Sequence, residues 1–172
     1  MPTYVALLRA VNVGGTGKLP MADLKRLCEA AGFHDARTYI ASGNVLFTSD
    51  LAEPEVKAAL ESQLRAYAGK PVPVAVRTAA ELRQVLLANP FPDDPPNRTV
   101  AVFLDAPPPA DALARATGLA GEALGLGARE VYIAYRTQDG MRDSKLKLPA
   151  AKDGTARNMN TVATLARMAA GE

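Results

Sequence analysis

From Tyr4 to Leu8 the chain runs through five apolar residues without a polar interruption, as expected of a central strand covered on both faces. Over Met21 to Ala31 the pattern turns helical: Leu24, Leu27, Cys28 and Ala31 recur at i, i+3, i+4 and i+7. Gly32 ends that helix, Pro20 stands near its first turn, and Asp23 lies where the dipole favours an acid. Ala36 to Ala41 and Val45 to Thr48 read as strands joined by Ser42-Gly43-Asn44, which is hairpin chemistry. Glu53 to Tyr67 is helical again, with Val56, Leu60, Leu64 and Tyr67 on one stripe and Gly69 as its stop. Val72 to Arg77 is a strand that Pro71 and Pro73 confine to a sheet edge. Residues 1–77 therefore spell βαββαβ, the ferredoxin-like unit. Its right-handed crossovers predict an antiparallel sheet with the first and third strands central.

Residues 78–172 form a second α+β half, and a repeat of the ferredoxin-like unit is one way to build it. It opens on Thr78-Ala79-Ala80-Glu81, a capping box leading into Leu82, Val85 and Leu86 at helical spacing. Asn89 to Asn97, with four prolines and the adjacent Asp93 and Asp94, reads as an ordered loop or linker with solvated acids. Thr99 to Leu104 is a strand, and Pro107 to Pro109 lead into a short helix through Leu113 and Thr117. The glycines at 118, 121, 125 and 127 break the pattern. Glu130 to Arg136 is a strand closed by Asp139-Gly140, a short helix is expected from Ser144 toward Ala150, and a final one covers about Asn158 to Ala170. No repeat is legible residue by residue.

Charge and composition narrow the functional classes. Twenty basic against 18 acidic residues leave a formal charge of +2, so the sum gives no polyanion footprint, although a local basic patch is compatible with it. One cysteine excludes an intramolecular disulfide, and with a single histidine it argues against a zinc site built from one chain. Cys28 falls on the buried stripe of its helix and reads as an inert thiol. No apolar run reaches the roughly 20 residues of a membrane span and no signal-peptide pattern opens the chain, so a cytoplasmic location is expected. His34, in the loop closing the first helix, has no partner at triad-like spacing and belongs at the opposite end of the sheet from the glycine loop.

Candidate chemistry starts at Arg9, which closes the first strand; a guanidinium there is expensive to bury unless paired or liganded. Behind it, Asn12 to Lys18 holds Gly14, Gly15 and Gly17 ahead of a cation, and a helix begins at Pro20. That order presents backbone N–H groups and positive dipole charge to an anion. The loop matches neither G-x-x-x-x-G-K-[ST] nor G-x-G-x-x-G, and three glycines equally well serve a tight connection. Because the first strand ends and the third begins at the same sheet edge, this loop and the Ser42-Gly43-Asn44 turn are expected side by side. Near the C-terminus, Thr155-Ala156-Arg157-Asn158-Met159-Asn160-Thr161 packs more polar residues ahead of a helix than one cap explains. Arg157 at a helix start opposes the dipole, which an anionic partner would relieve. Ser144-Lys145, followed by Lys147 and Lys152, makes a local basic excess with Arg142 and Arg157, whose plainest explanation is a solvated face.

The blocks LLRAVNVGG, TYIASGNVLF, VYIAY, SKL and TARNMNT, in this order across nearly the whole chain, resemble the bacterial family known as domain of unknown function 1697. The resemblance implies an α+β fold of ferredoxin-like halves in a cytoplasmic protein with no assigned activity. Its polar positions fall on Arg9, Asn12, Gly14, Gly15, Ser42, Gly43, Asn44, Ser144, Lys145, Thr155, Arg157, Asn158, Asn160 and Thr161, none with an established role. The chain departs from the family at Met159, where tryptophan is common, and in a short stretch between Lys145 and Thr155.

The expectation is a small anionic ligand, carrying phosphate or carboxylate, in a cleft between the two halves. Arg9, Asn12, Gly14, Gly15, Lys18, Ser42 and Asn44 would form one wall, and Lys145, Arg157, Asn158 and Asn160 the other. No metal is implied, the cofactor is unknown, no general base is identified, and catalysis and oligomeric state stay open. The alternatives are a single-stranded nucleic-acid module and an interaction domain whose polar blocks only brace the fold. The first requires stacking aromatics on an open sheet, and aromatics make up 5% of the chain.

Overall fold

The computed structural model describes residues 1–12, 18–137 and 140–172. They form an α+β protein of two compact units, Met1–Leu82 with Leu165–Glu172, and Arg83–Thr164. Asp139 and the glycine loop with Gly14, Gly15 and Gly17 lie outside the described residues.

The first unit follows the order β1 (Thr3–Leu8), α1 (Met21–Ala30), β2 (His34–Tyr39), β3 (Asn44–Thr48), α2 (Glu53–Ala68), β4 (Val74–Thr78). Its sheet is antiparallel in the order β2-β3-β1-β4, so β1 and β3 are central and β4 lies at an edge, as the crossover rule requires. Tyr4, Ala6 and Leu8 share one face of β1 and join Leu24 and Cys28 of α1 and Val56, Leu60 and Leu64 of α2 in one buried cluster. Each leucine or valine among them contributes roughly 1.5–3 kcal/mol when fully buried. The stripe predicted for α1 is thus its buried face, and the burial that shields Cys28 pushes its thiol up to about 12. The opposite face is no less buried: Val5, Leu7, Leu46 and Arg77 are each at most 1% exposed.

After β4, α3 (Ala79–Leu87) begins within the first unit with the predicted capping box and continues into the second, which starts at Arg83. The Glu81 N–H donates to Thr78 Oγ1 (3.1 Å) and the Thr78 N–H to Glu81 Oε1 (2.9 Å). Then come β5 (Thr99–Phe103), β6 (Ala123–Leu126), β7 (Glu130–Ala134), a single turn α4 (Gly140–Asp143), β8 (Thr155–Asn158) and α5 (Met159–Ala169). Five sequence expectations fail here. The glycine-rich stretch contains β6, because Gly125 lets the strand pass beside the Pro90 ring, which an added Cβ would meet at 2.7 Å. The residues read only as a helix cap include β8. The helix expected through Leu113 is a 3-10 turn at Leu113–Arg115, and the one expected from Ser144 is replaced by α4 upstream and a 3-10 turn at Pro149–Ala151. Asp94 is not a solvated acid: the Arg136 guanidinium donates to both its oxygens (3.1 and 3.3 Å).

The two sheets repeat one design. The second is ordered β6-β7-β5-β8, the same strand sequence as β2-β3-β1-β4. In β1, Val5 lies between Leu46 and Arg77; in β5, Ala101 lies between Tyr132 and Arg157. Arg77 and Arg157 therefore occupy equivalent positions, each buried in an edge strand that runs into a helix. Each donates Nη1 to the carbonyl of the residue before it at 2.9 Å. The duplication is visible in register, not in residue identity.

Candidate functional site

Three segments distant in sequence converge at one end of the first unit's sheet. β1 ends at Leu8, the β2–β3 turn passes beside it, and β4 begins opposite, with Leu8 in register with Val74. The Leu8 N–H donates to Gly43 O (2.8 Å) and the Arg9 N–H to Pro73 O (3.0 Å). The predicted adjacency of the Arg9–Lys18 loop and the Ser42-Gly43-Asn44 turn is thus present, and Asn12 makes it. Its Nδ2 donates to Leu19 O (2.9 Å) and to Ala41 O (2.7 Å), and its Oδ1 accepts the Leu19 N–H (2.6 Å). One amide closes the base of the glycine loop and ties it to the neighbouring turn.

The backbone at this rim is costly. Ala10, Asn12 and Ile40 adopt positive φ of 55°, 56° and 50°, a region that L residues enter at roughly 1–2 kcal/mol each, least for Asn. Such strain persists only where surrounding structure enforces it and tends to gather at functional sites. Gly43, at φ 91°, is required twice over, since an added Cβ would meet Val11 Cγ2 at 2.6 Å and Leu8 Cβ at 3.0 Å.

On the β4 side of the rim lies a cavity of about 740 Å3. Its cations are Arg9 at the end of β1, Lys18 just ahead of α1, and Lys70 in the α2–β4 connection. Val11, Leu19, Leu64, Tyr67 and Val72 supply apolar and aromatic surface, and no acidic side chain lines it among the described residues. The C-terminal end of α2 also contributes to the wall through Leu64, Tyr67 and Ala68, bringing the negative pole of that helix, on the order of half a charge. Asp23, an acid of the first turn of α1, accepts the Tyr67 hydroxyl (2.7 Å) and pairs with Arg26.

Of the residues expected to bind, Arg9 and Lys18 line this cavity. Asn12 acts as the staple described above. Asn44 is fully buried, its Nδ2 donating to Tyr39 O (2.9 Å) and Ser42 Oγ (3.0 Å), so both of these polar residues build the turn. Lys145, Arg157, Asn158 and Asn160 belong to the second unit. Lys145 and Asn160 are exposed, and Asn158 Oδ1 caps α5 by accepting the Thr161 N–H (2.9 Å). Arg157 is buried, and desolvation pulls its guanidinium down to about 10. Ser144 donates to Glu122 Oε1 (2.8 Å). That bond, behind the Ala120 N–H as the larger cause, holds the Glu122 carboxyl below its ordinary value.

Sequence reasoning missed Lys70 and Arg77. Lys70 follows a helix-ending glycine and precedes a proline, a signal that fixes a connection but not what the connection faces. Arg77 stands as the one charge in an apolar strand just before a capping box, a pattern repeated in looser form by Arg157 before Asn158. His34 sits at the far end of the sheet, opposite Thr48, which itself pairs with Thr3. Among the described residues no three His, Cys, Asp or Glu side chains converge as a metal site, and no helix is long and apolar enough to cross a membrane.

The fold is shared. The chain is similar to a structure described as that of conserved bacterial protein SP0830 from Streptococcus pneumoniae, with TM-score 0.83, 22% identity and 99% of each chain covered. No curated protein matches it. Residues 1–132 match the family described as "Protein of unknown function (DUF1697)", more than three quarters of the sequence and including the rim just described; the chain belongs to the DUF1697 family.

Proposed function

We propose that this protein binds a small phosphate- or carboxylate-bearing molecule in the cavity of its first unit. Arg9, Lys18 and Lys70 meet the anionic group, and Val11, Leu19, Leu64 and Val72 lie against the remainder. The observation that carries this is the convergence of three cations on a cavity whose described lining contains no acid. Its volume falls within the roughly 300–1,000 Å3 of small-molecule sites. The described lining contains no His, Cys, Asp or Glu to serve as a general base, so the proposal is of binding, with no chemical step assigned. A cytoplasmic setting belongs to the same proposal, supported by a lone cysteine that is buried and unpaired.

Burial favours this reading over nucleic-acid binding. Stacking single-stranded bases needs an open sheet carrying aromatics, whereas Val5, Leu7 and Leu46 of the first sheet and Ala101, Phe103 and Tyr132 of the second are at most 1% exposed. The test is thermal unfolding in the presence of nucleotides, sugar phosphates and dicarboxylates. At a hundredfold excess of free ligand over Kd, linkage adds about 2.7 kcal/mol, which raises the melting temperature by roughly 5–10 °C for a chain of this size. The shift should vanish in Arg9→Ala with Lys70→Ala. A panel that shifts nothing refutes the proposal, as does a shift that survives the double substitution.

A further inference from the structure

The apolar stripe of α2 has one member that does not enter the core. Val56, Leu60 and Leu64 are at most 1% exposed, whereas Tyr67, next on the same stripe, is 45% exposed and lines the first unit's cavity. Two observations separate it from an aromatic merely left on the surface. It is anchored: its hydroxyl donates to Asp23 Oδ2 (2.7 Å), joining the last turn of α2 to the first turn of α1 across 44 positions of sequence. Asp23 already pairs with Arg26, so the acid is neutralised without the tyrosine, and what the hydroxyl bond does is fix the ring. The ring is also uncovered: among the described residues no second aromatic and no guanidinium stacks on it.

The rest of the lining narrows what such a ring can meet. A cavity of about 740 Å3 is far larger than an inorganic phosphate or a short dicarboxylate, so an anion that fills it carries a sizeable body. The buried part of the lining, Val11, Leu19, Leu64 and Val72, each at most 8% exposed, is apolar throughout.

We infer that the molecule bound in this cavity is a mononucleotide, with its base stacked on the Tyr67 ring. This rests on the anion-binding reading of the same cavity and adds to it the group that Tyr67 recognises. A planar π system gains dispersion and quadrupole contact from an exposed ring face; a saturated sugar phosphate or a dicarboxylate has no such face to offer. With the tyrosine hydroxyl engaged by Asp23, recognition runs through the ring face, which is tolerant of base identity because every base has one.

Calorimetric titration of the full chain with AMP, adenosine and ribose phosphate tests it, with the Tyr67 ring resonances followed by NMR. AMP should bind at least about tenfold more tightly than either of the other two, and it should move the Tyr67 ring protons upfield as a stacked base does. Tyr67→Leu keeps an apolar side chain and loses the ring; it should weaken AMP by about five- to a hundredfold and leave ribose phosphate unchanged. Tyr67→Phe keeps the ring and loses only its anchor, so its affinity for AMP should fall between those of the tyrosine and leucine proteins. If Tyr67→Leu does not fold, the ratio of AMP to ribose phosphate affinity and the ring shift decide. Equal affinity for AMP and ribose phosphate, an unmoved Tyr67 ring, or AMP binding unaltered in folded Tyr67→Leu overturns the base contact and leaves the anion-binding reading standing. Equal affinity for AMP and adenosine overturns that reading itself. No saturable binding of any of the three overturns the nucleotide, with dicarboxylates then left to decide whether the cavity takes an anion at all.

Discussion

Replacing Asn12 by alanine removes the three hydrogen bonds that close the glycine loop and join it to the β2–β3 turn. At about 1 kcal/mol net for each bond the loss is about 3 kcal/mol, and because Asn12 is only half-buried water recovers part of it, leaving roughly 2 kcal/mol. The backbone adds a further cost: Asn12 holds φ at 56°, where asparagine is better tolerated than alanine by up to about 1 kcal/mol. Asn12→Ala should therefore destabilise the first unit by about 2–3 kcal/mol. Asn12→Gly loses the same bonds without the backbone penalty, so it should cost about 1 kcal/mol less. Because two units need not unfold together, the assay is urea unfolding followed at resonances of the first unit, for instance the amides of Val45 and Leu46, with the m-value checked for constancy. A cost below about 0.5 kcal/mol for Asn12→Ala would refute the staple. Equal costs for alanine and glycine would refute the strain.

The same rim yields a gain. Ala10→Gly and Ile40→Gly relieve positive φ at exposed positions and should each stabilise by about 0.5–1 kcal/mol in the same urea assay. Gly43→Ala must accept both a left-handed φ and a Cβ 2.6 Å from Val11; a loss of roughly 2–4 kcal/mol is expected from strain plus overpacking, and a neutral result would show the turn to be looser than described. For Cys28 the sign follows from burial, which raises the thiol from 9.0 to about 12. The fold favours the protonated form, so stability falls as pH rises from about 9 toward 12, by at most about 1.4 kcal/mol per pH unit. In Cys28→Ala that part of the slope should disappear, and equal slopes in the two proteins would contradict it.

How legible this was depended on where the information resides. The first unit announced itself because its signals are local: an unbroken apolar strand, helical stripes ending at Gly32 and Gly69, and a Ser-Gly-Asn turn. Its topology then brought Arg9 beside the Ser42-Gly43-Asn44 turn without any knowledge of side-chain contacts. The second unit hides its edge strands. β8 reads Thr-Ala-Arg-Asn and is specified by pairing with β5 rather than by hydrophobicity, while β6 depends on a glycine that accommodates Pro90. The site was half legible for a similar reason. Arg9 and Lys18 flank a glycine loop in sequence, but Lys70 reaches the cavity only through the fold of the α2–β4 connection. Asn12, Ser42 and Asn44 looked like ligand-facing polar groups, yet polarity in a turn serves backbone carbonyls and N–H groups as readily as a ligand.

The most direct measurement is a crystal of the full chain soaked in tungstate, an electron-dense oxyanion, with its anomalous signal located. The binding proposal predicts a peak in the first unit within hydrogen-bonding reach of Arg9 and at least one of Lys18 and Lys70, lost in Arg9→Ala with Lys70→Ala. Peaks only at other surfaces, or none in that cavity, would contradict it.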